Sequence, residues 1–314
     1  MIILIKVAVL VGNSSEREIS LKTAEGVVIA LRECNYNPII IEIDPQLPFK
    51  LAKEKPDLAF IASHGRFGED GTIQGFLEVM GIPYIGSGVL ASALAMHKEK
   101  SKQIFKQAGI QTPEYMTLTT LSPWQESLEK SHDFIEKWGT VVVKPANQGS
   151  SIGISIVKDF RILREALDKA FRYDSELLLE RFIGGKELAV GIFGDLEPYA
   201  LPAVEIAPCK DFYDYEAKYV PGMSLHLMPP TLSEGVVMKA QSQALAAHII
   251  LGCRDISRVD LIVDNQEDIW LLEVNTIPGM TETSLVPDAA SCLGWSYANL
   301  VNNLVCLALQ REER

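Results

Sequence analysis

The sequence has few cysteines and no long apolar run, and both absences exclude classes of protein. Its five cysteines are an odd number, are widely scattered and form no CxxC pair, which argues against a disulfide framework and favours a reducing compartment. No run approaches the roughly 18 uninterrupted apolar residues of a membrane helix. Met1 to Gly12 is interrupted by Lys6 and lacks a cleavage site of small residues, so it predicts a first β-strand and no signal peptide. We therefore expect a soluble, cytoplasmic protein without a membrane partner.

Positive charge is also scarce. The 314 residues include 41 acidic and 29 basic side chains, a net charge of -12, which opposes binding of nucleic acid over a broad surface. Any phosphate that the protein binds must therefore meet a local cationic site. The length exceeds that of an average domain, so we expect two or three domains.

Several catalytic motifs are missing. No GxxxxGK[ST] segment occurs, so the usual strand-to-helix phosphate loop is absent. The five histidines have no zinc-ligand spacing, and no GxSxG or cysteine-centred motif supports a covalent nucleophile. Residues Gly86 to Ala91 match GxGxxA but lack the ribose-binding acid expected about 20 residues on, so we interpret these glycines as a tight turn.

The first third of the chain alternates strand and helix patterns. Strand-like segments at Val7 to Val11, Pro38 to Ile43 and Leu58 to Ile61 are separated by helical patterns at Ile19 to Arg32 and, following the last strand, Thr72 to Met80. This alternation predicts a small parallel sheet with covering helices.

The rest of the chain predicts two further units. One helical pattern runs from Ser87 to Gln107, and new strand patterns begin at Tyr115 and at Glu187. The predicted fold class is α/β, more narrowly an α+β chain of three domains at 1-95, 96-186 and 187-314. The segment Pro208 to Thr231 has no regular pattern, and loops of that length are usually lids or disordered.

The strongest local signal is a pair of apolar segments that carry Arg258 and Asp260, then Glu273 and Asn275. If residues 265–268 form a hairpin turn, strand alternation sets Asp260 opposite Glu273 and Arg258 opposite Asn275. Two carboxylates and an amide oxygen suit Mg²⁺. The alternative is a surface hairpin with ordinary charge pairs, but the apolar neighbours predict burial, where charges need a partner or an ion.

A second candidate site begins at Lys144, which ends a strand-like run and precedes the glycine- and serine-rich segment Asn147 to Gly153. Backbone N–H groups of such a loop can approach phosphates, and a lysine adds a point charge. Taken alone the loop is more often only a hairpin. Beside Lys98 and the carboxylate cluster, nucleotide binding explains it better.

Two other polar residues have simpler explanations from spacing alone. Glu16 lies at the start of a helix, where an acid suits the helix dipole. His64 follows a strand, with Glu69 and Asp70 nearby, and is either a ligand contact or a turn histidine.

Several separate segments, in one order from about Lys6 to Leu304, resemble the D-alanine:D-alanine ligases of the ATP-grasp superfamily. The matching segments are Ser15 to Ser20, His64 to Gly71, Gly86 to Gly88, Phe212 to Tyr219, Glu273 to Thr281 and Ser284 to Pro287. Three positions depart from the family: Val11-Gly12 replaces two adjacent glycines, His97 replaces a common aspartate, and Ile277 is bulkier than usual. None of them removes a ligand that the resemblance implies.

The resemblance implies that ATP is held between the antiparallel sheets of the second and third domains, with two Mg²⁺ or Mn²⁺ ions per site. The implied metal ligands are Asp260, Glu273 and Asn275, with Glu273 bridging the ions. The implied nucleotide contacts are Lys98, Lys144, Gly149, Ser150, Ser151, Glu180, Phe182, Ile183, Glu187 and Lys218.

The resemblance also implies the reaction. The carboxylate of one D-alanine attacks the γ-phosphate of ATP, and the amine of a second D-alanine attacks the resulting acyl phosphate. Glu16 then anchors the first ammonium, which reverses its interpretation from spacing. The implied catalytic residues are Glu16, Ser150, Tyr219, Arg258, Gly279 and Ser284, and the implied substrate contacts are Glu16, His64, Arg258, Gly279, Ser284 and Leu285. A role in peptidoglycan precursor synthesis and a homodimer through the first domain are further implications.

Two alternatives stay open. One is a non-catalytic, nucleotide-binding regulatory protein that kept the fold, although the intact cationic and acidic residues argue against it. The other is a related ligase that makes D-alanyl-D-lactate or D-alanyl-D-serine, although Tyr219 resembles the dipeptide-forming type.

Overall fold

The first sheet contains four parallel strands in the order β2-β1-β3-β4, as the sequence predicts. The structure, a computed structural model, describes residues 4–12, 16–149, 152–208, 224–281 and 284–312. Strands β1 and β3 are almost wholly apolar and buried, because helices cover the sheet. The elements are β1 (Lys6–Val11), α1 (Arg17–Glu33), β2 (Asn37–Glu42), α2 (Leu47–Glu54), β3 (Leu58–Ile61), α3 (Thr72–Met80) and β4 (Tyr84–Ile85).

The second sheet is antiparallel and has four strands in the order β5-β8-β6-β7. Its apolar face packs against α6 and α7. The elements are β5 (Tyr115–Thr119), α6 (Trp124–Trp138), β6 (Val141–Pro145), β7 (Ser155–Val157), a short 3-10 helix (Phe160–Ile162), α7 (Leu163–Ala170) and β8 (Glu176–Arg181). Along the chain, α4 (Val89–Met96) and α5 (Lys98–Gln107) follow the last strand of the first sheet and precede the first strand of the second.

The third sheet is antiparallel and has six strands, five in the order β12-β11-β9-β13-β14 and β10 paired with β9. Helix α8 covers one face of it. The elements are β9 (Lys186–Gly194), β10 (Tyr199–Ala200), β11 (Val204–Pro208), β12 (Ser224–Leu227), α8 (Glu234–Leu251), β13 (Asp255–Val263), β14 (Ile269–Asn275), α9 (Leu285–Ser291) and α10 (Tyr297–Glu312).

Two predictions about secondary structure were wrong. The helical pattern from Ser87 to Gln107 forms two helices, because His97 adopts an extended conformation (φ -87, ψ 94) between them. The break lets the Lys98 N–H donate to the Ala146 carbonyl at 3.0 Å, a contact far along the chain. The irregular segment predicted from Pro208 to Thr231 includes strand β12, which pairs with β11. Residues 209–223 of that segment lie outside the described residues.

The C-terminal helix α10 returns to the first sheet. Leu300 and Leu304 of α10 share one buried core with Val27 and Leu31 of α1. Two of the three sheets lie within the predicted segments 1-95 and 96-186, and the third begins at Lys186, one residue before the predicted segment 187-314. That division into domains stays a prediction. Within the described ranges, none of the helices combines the length and apolar character that crossing a membrane requires.

A buried ion pair attaches the end of α10 to the start of β13. Asp255 is 0% exposed and accepts a hydrogen bond from Arg311 at 2.7 Å and another from the Gly86 N–H at 2.7 Å. Arg311 also donates to the Tyr84 carbonyl at 2.6 Å. Strand β4, the turn after it, β13 and α10 are therefore joined through two side chains.

We expect Arg311→Gln to lower the free energy of unfolding by about 3–5 kcal/mol, because it leaves Asp255 buried without its charge partner. Urea denaturation followed by circular dichroism measures the change. The matched control is Arg164→Gln, which breaks an exposed pair with Asp168 and should leave stability nearly unchanged. Equal stability of the two variants would contradict the proposed importance of the buried pair.

Candidate active site

Segments from all three sheet regions line one cavity of about 530 Å³. They include one face of α1 and the residue before it, the loop after β3, the α4–α5 junction, the loop after β6, strands β12 to β14 and the segment between β14 and α9. The residues of the predicted site that line it are Glu16, His64, Lys98, Gly149, Arg258, Glu273, Asn275, Gly279, Ser284 and Leu285.

The polar ends of β13 and β14 have the predicted register. Arg258 pairs with Asn275 and Asp260 with Glu273, and the register shifts directly after Asp260. The Arg258 guanidinium donates from Nε and from a terminal nitrogen to the two Asp260 oxygens, each at 2.7 Å. The carboxylate of Asp260 is thus balanced by a bidentate arginine on its own strand.

Lys98 connects the hairpin to the loop after β6. Its side chain is largely buried, and its Nζ lies 3.3 Å from Oε2 of Glu273. The same ammonium donates to the Gln148 carbonyl at 2.6 Å. A cation is therefore fixed between the carboxylate of β14 and the glycine-rich loop.

A second buried cluster lies between α5 and the second sheet. Lys144 on β6 and Lys102 on α5 both form ion pairs with Glu180 on β8, at opposite oxygens. Lys102 is fully buried and also donates to the Thr112 hydroxyl at 2.6 Å. Burial lowers the pKa of Lys102 to about 8, against the opposing effect of Glu180. Two lysines thus share one carboxylate, which favours an additional anion nearby.

Lys102 was missed by the sequence interpretation. Its one local signal is its position four residues after Lys98, which places both lysines on the same face of a helix. That spacing is common on exposed helices, so the sequence alone could not distinguish a buried lysine from a solvated one.

Glu69 is a second residue that the interpretation left without a role. It lines the cavity, is buried, and accepts the Gly65 N–H at 2.8 Å. Burial raises the pKa of Glu69 to about 8, and the nearby charge of Glu16 adds to this increase. Glu69 is therefore a protonated, neutral acid at pH 7, facing Gly149 in the loop after β6.

His64 lines the cavity and also joins two parts of the fold. Its Nε2 lies 3.1 Å from the Thr23 hydroxyl of α1, and its ring bonds to the backbone of Ile277 after β14. Burial lowers the pKa of His64 to about 4. The ring is thus neutral at pH 7 and can offer a hydrogen bond but no charge.

The glycines after β1 and β3 are required by a close approach of two loops. A Cβ on Gly12 would lie 2.1 Å from the Ser63 hydroxyl oxygen, and one on Gly68 would lie 1.9 Å from the Ser63 carbonyl oxygen. Val11 belongs to β1 and is buried. Of the two adjacent glycines that Val11-Gly12 replaces, this chain therefore retains the second, which the packing against Ser63 requires.

The segment after β14 presents the beginning of α9 to the cavity. Ser284 precedes this helix, and its hydroxyl accepts the Thr281 N–H at 3.1 Å. A Cβ on Gly279 would lie 3.0 Å from the Ser284 hydroxyl oxygen. Gly279, Ser284 and Leu285 consequently lie close together in the lining of the cavity.

In the described part of the chain, five other predicted site residues do not line the cavity, namely Lys144, Glu180, Phe182, Ile183 and Asp260, and neither does Glu187. Asp260, Lys144 and Glu180 are buried beside the cavity residues described above. Phe182 and Ile183 belong to the connection from β8 to β9, where the Phe182 N–H donates to the Thr140 carbonyl at 3.0 Å. The remaining residues are Glu187, on β9, and Ser150, Ser151, Lys218 and Tyr219, which lie outside the described residues.

We expect Glu69→Gln to flatten the dependence of stability on pH between about 5 and 8. Because the pKa of Glu69 is about 8 in the folded protein and 4.5 for an ordinary glutamate, the folded state binds this proton more tightly. The stability gained from this proton is complete below about pH 4.5 and is lost as the pH rises through about 8. Over that interval the free energy of unfolding falls by up to about 1.4 kcal/mol per pH unit. Urea denaturation at several pH values measures the slope. Glu129→Gln, at an exposed position, should retain the wild-type slope, and an unchanged slope in Glu69→Gln would contradict the buried-acid assignment.

Comparisons with known proteins agree over nearly the whole chain. A family model described as D-ala D-ala ligase C-terminus matches residues 104–306, and one described as D-ala D-ala ligase N-terminus matches residues 47–87. A D-alanine–D-alanine ligase of Pelotomaculum thermopropionicum is 47% identical over 309 residues, 98% of this chain and 97% of that protein.

Solved structures give the same result. A D-alanine–D-alanine ligase from Bacillus anthracis, complexed with ATP, matches with a TM-score of 0.84 at 31% identity. The match covers 99% of this chain and 100% of the Bacillus anthracis chain. A D-Ala:D-Ser ligase from Enterococcus faecalis has a TM-score of 0.83 at 29% identity, over 98% of this chain and 100% of its own. With these matches on a three-sheet fold and its cavity, the chain belongs to the D-alanine–D-alanine ligase family.

Proposed function

We propose that the protein uses ATP to join two D-alanine molecules into D-alanyl-D-alanine for peptidoglycan precursor synthesis. The observation that carries this proposal is the cavity, which brings Glu16, Arg258 and the pair Lys98–Glu273 to one space. An amino acid substrate needs both an anion for its ammonium and cations for its activated carboxylate. The three sheet regions supply them from separate parts of the chain.

The lysines support ATP as the phosphate donor. Lys98, Lys102 and Lys144 are all buried, although the chain as a whole carries a net charge of -12. Buried cations in excess of their local acids favour an anionic ligand. Phosphate groups between the second and third sheets would meet this requirement, with the loop at Gly149 beside them.

The donor set of β13 and β14 fits a magnesium or manganese ion. Asp260 and Glu273 face each other across the two strands, and Asn275 lies two residues along on the same face. These three residues would hold the ions through carboxylate and amide oxygens. Arg258 and Lys98 occupy the carboxylates in the structure, so a divalent ion would compete with them. When bound, Mg²⁺ supplies charge neutralisation for phosphoryl transfer.

The residues of the cavity then have distinct tasks. Glu16 pairs with the ammonium of the first D-alanine, which directs its carboxylate to the γ-phosphate. In the second step, Arg258 and the Gly279 N–H stabilise the oxyanion that forms when the second amine attacks the acyl phosphate. The carboxylate of the second D-alanine lies at Ser284 and the Leu285 N–H, where the start of a helix favours an anion.

The neutral groups also contribute. At pH 7 the low pKa of His64 and the high pKa of Glu69, both caused mainly by burial, leave these two side chains uncharged. They can position substrates by hydrogen bonds without competing with Glu16 for the ammonium. The cavity therefore carries fewer charges at pH 7 than its titratable side chains would suggest.

One alternative differs from this proposal in its second substrate, and the other in having no turnover. The D-Ala:D-Ser ligase of Enterococcus faecalis shares the fold, so the fold alone does not select the second substrate, and Tyr219 lies outside the described residues. A regulatory protein would bind nucleotide without turnover. We also propose that the enzyme acts in the cytoplasm as a homodimer through its first domain, which sedimentation of the purified protein tests.

We expect phosphate release from ATP to require D-alanine, and L-alanine should not replace it. A coupled assay of phosphate release, with the dipeptide identified by mass spectrometry, measures both. Faster turnover with D-lactate or D-serine as the second substrate would reject the D-alanyl-D-alanine assignment. Phosphate release that does not respond to any amino acid would reject the ligase assignment.

We expect Glu273→Gln to keep the fold and lower kcat at least about 100-fold, because it removes a carboxylate charge from the metal site. Turnover is measured at saturating ATP and Mg²⁺, and the fold by circular dichroism and melting temperature. Glu267→Gln, in the exposed turn of the same hairpin, is the matched control and should retain full activity. Normal turnover of Glu273→Gln would refute the metal assignment.

A further inference from the structure

A second group of potential metal ligands lies at the junction of α4 and α5, outside the lining of the cavity. His97, Glu99 and Glu176 each offer one ligand atom, and these atoms all lie within 4.8 Å of one another. His97 Nε2 lies 3.7 Å from Glu176 Oε2. All three side chains are partly buried. The sequence interpretation gave none of them a metal-binding role.

The three side chains are held on fixed backbone. His97 occupies the extended break between two helices, and Glu99 lies in the first turn of α5. Glu176 begins β8, and its carbonyl accepts the Ala146 N–H at 2.9 Å. The Glu99 carboxylate also accepts a hydrogen bond from Gln103 at 3.0 Å. Such anchoring lowers the conformational entropy lost when an ion binds.

The two adjacent carboxylates of this group favour a cation. The Glu99 and Glu176 side chains contact each other by a hydrogen bond, and two adjacent carboxylates repel unless a proton or a cation lies between them. Lys100 pairs with Glu99 from an exposed position at 3.0 Å. The His97 Nδ1 is buried and has no hydrogen-bond partner among the described residues. The other ring nitrogen, Nε2, is the one that approaches Glu176, so an imidazole and two carboxylates converge at the start of β8.

We propose that His97, Glu99 and Glu176 bind a divalent transition-metal ion of the zinc class, with water completing its coordination. An imidazole nitrogen with two carboxylate oxygens suits Zn²⁺ better than Mg²⁺, which prefers oxygen ligands alone. Metal–ligand bonds of 2.0–2.2 Å place tetrahedral ligands roughly 3.4 Å apart. The observed separations therefore need to close by about an ångström, which side-chain rotation can supply.

An ion at this site would reach the phosphate-binding region through Lys98, which lies between two of the ligands. The Lys98 N–H bonds to Ala146, and its Nζ contacts Gln148 and Glu273. The ion would link the first turn of α5 to β8 on either side of this lysine. It would thus fix α5 against the second sheet, independently of whether ATP or D-alanine is bound.

The chain contains a matched control for this proposal. The ligand atoms of His132, Asp133 and Glu136 also lie within 4.8 Å of one another, but all three side chains are exposed and belong to the single helix α6. They are joined only by a pair at 3.8 Å from His132 to Glu136. If the ion binds at His97, substitution of His132 in this exposed group should leave the binding unchanged.

The test is calorimetric titration of Zn²⁺ into the full-length, chelator-treated protein in excess Mg²⁺, which favours the all-oxygen site on β13 and β14. We expect one Zn²⁺ per chain with micromolar affinity. His97→Asn and Glu176→Gln should each weaken binding at least about tenfold, and His132→Asn should leave it unchanged. Zn²⁺ should also raise the melting temperature of the wild type and of His132→Asn, but not that of His97→Asn.

Three results would overturn the proposal. They are no binding at micromolar Zn²⁺, binding that persists in both His97→Asn and Glu176→Gln, and binding that only His132→Asn removes. Binding that Glu273→Gln abolishes while His97→Asn keeps it would assign the ion to the proposed catalytic site instead. Should His97→Asn or Glu176→Gln fail to fold without metal, Glu99→Gln provides the same comparison from an independent ligand.

Discussion

In the third sheet, β13 pairs with β9 on one side and with β14 on the other, and this double pairing determines which side chains meet the cleft. Arg258 and Asp260 lie opposite Gly191 and Ala189 of β9, and opposite Asn275 and Glu273 of β14. A shift by one residue would turn every one of these polar groups to the other face. Since β13 is held on both sides, such a shift would have to break both ladders. The acidic and basic groups of the candidate site therefore depend on a register fixed by backbone hydrogen bonds.

Burial then decides which of the cleft's polar groups carry charge. Arg258 balances Asp260, Lys98 contacts Glu273, and Lys102 and Lys144 share Glu180. The pKa shifts of His64 and Glu69, both caused mainly by burial, remove their charges at pH 7. The side of the cleft near the second sheet is left with more lysines than acids, and the side near the first sheet contains Glu16. This separation matches a substrate pair with phosphate at one end and an ammonium at the other.

The parts that the sequence predicted are those governed by short-range patterns. Alternation along two strands was enough to predict the pairing of Asp260 with Glu273, and a strand-helix alternation was enough to predict the parallel first sheet. The break at His97 could not be predicted, because it accompanies a hydrogen bond from Lys98 to Ala146, which lies far along the chain in the turn after β6. Glu69 and Lys102 were missed for the same reason: their unusual pKa values come from burial, which distant elements create.

The C-terminal helix explains how groups so far apart in sequence keep a constant separation. Helix α10 packs on α1, which begins directly after Glu16, and its last turn carries Arg311, which binds Asp255 at the first residue of β13. Three residues further along β13 is Arg258. A single rigid helix therefore contacts both the element that positions the acid and the strand that positions the arginine. Because a helix does not stretch, α10 fixes the distance between the element that positions Glu16 and the strand that carries Arg258.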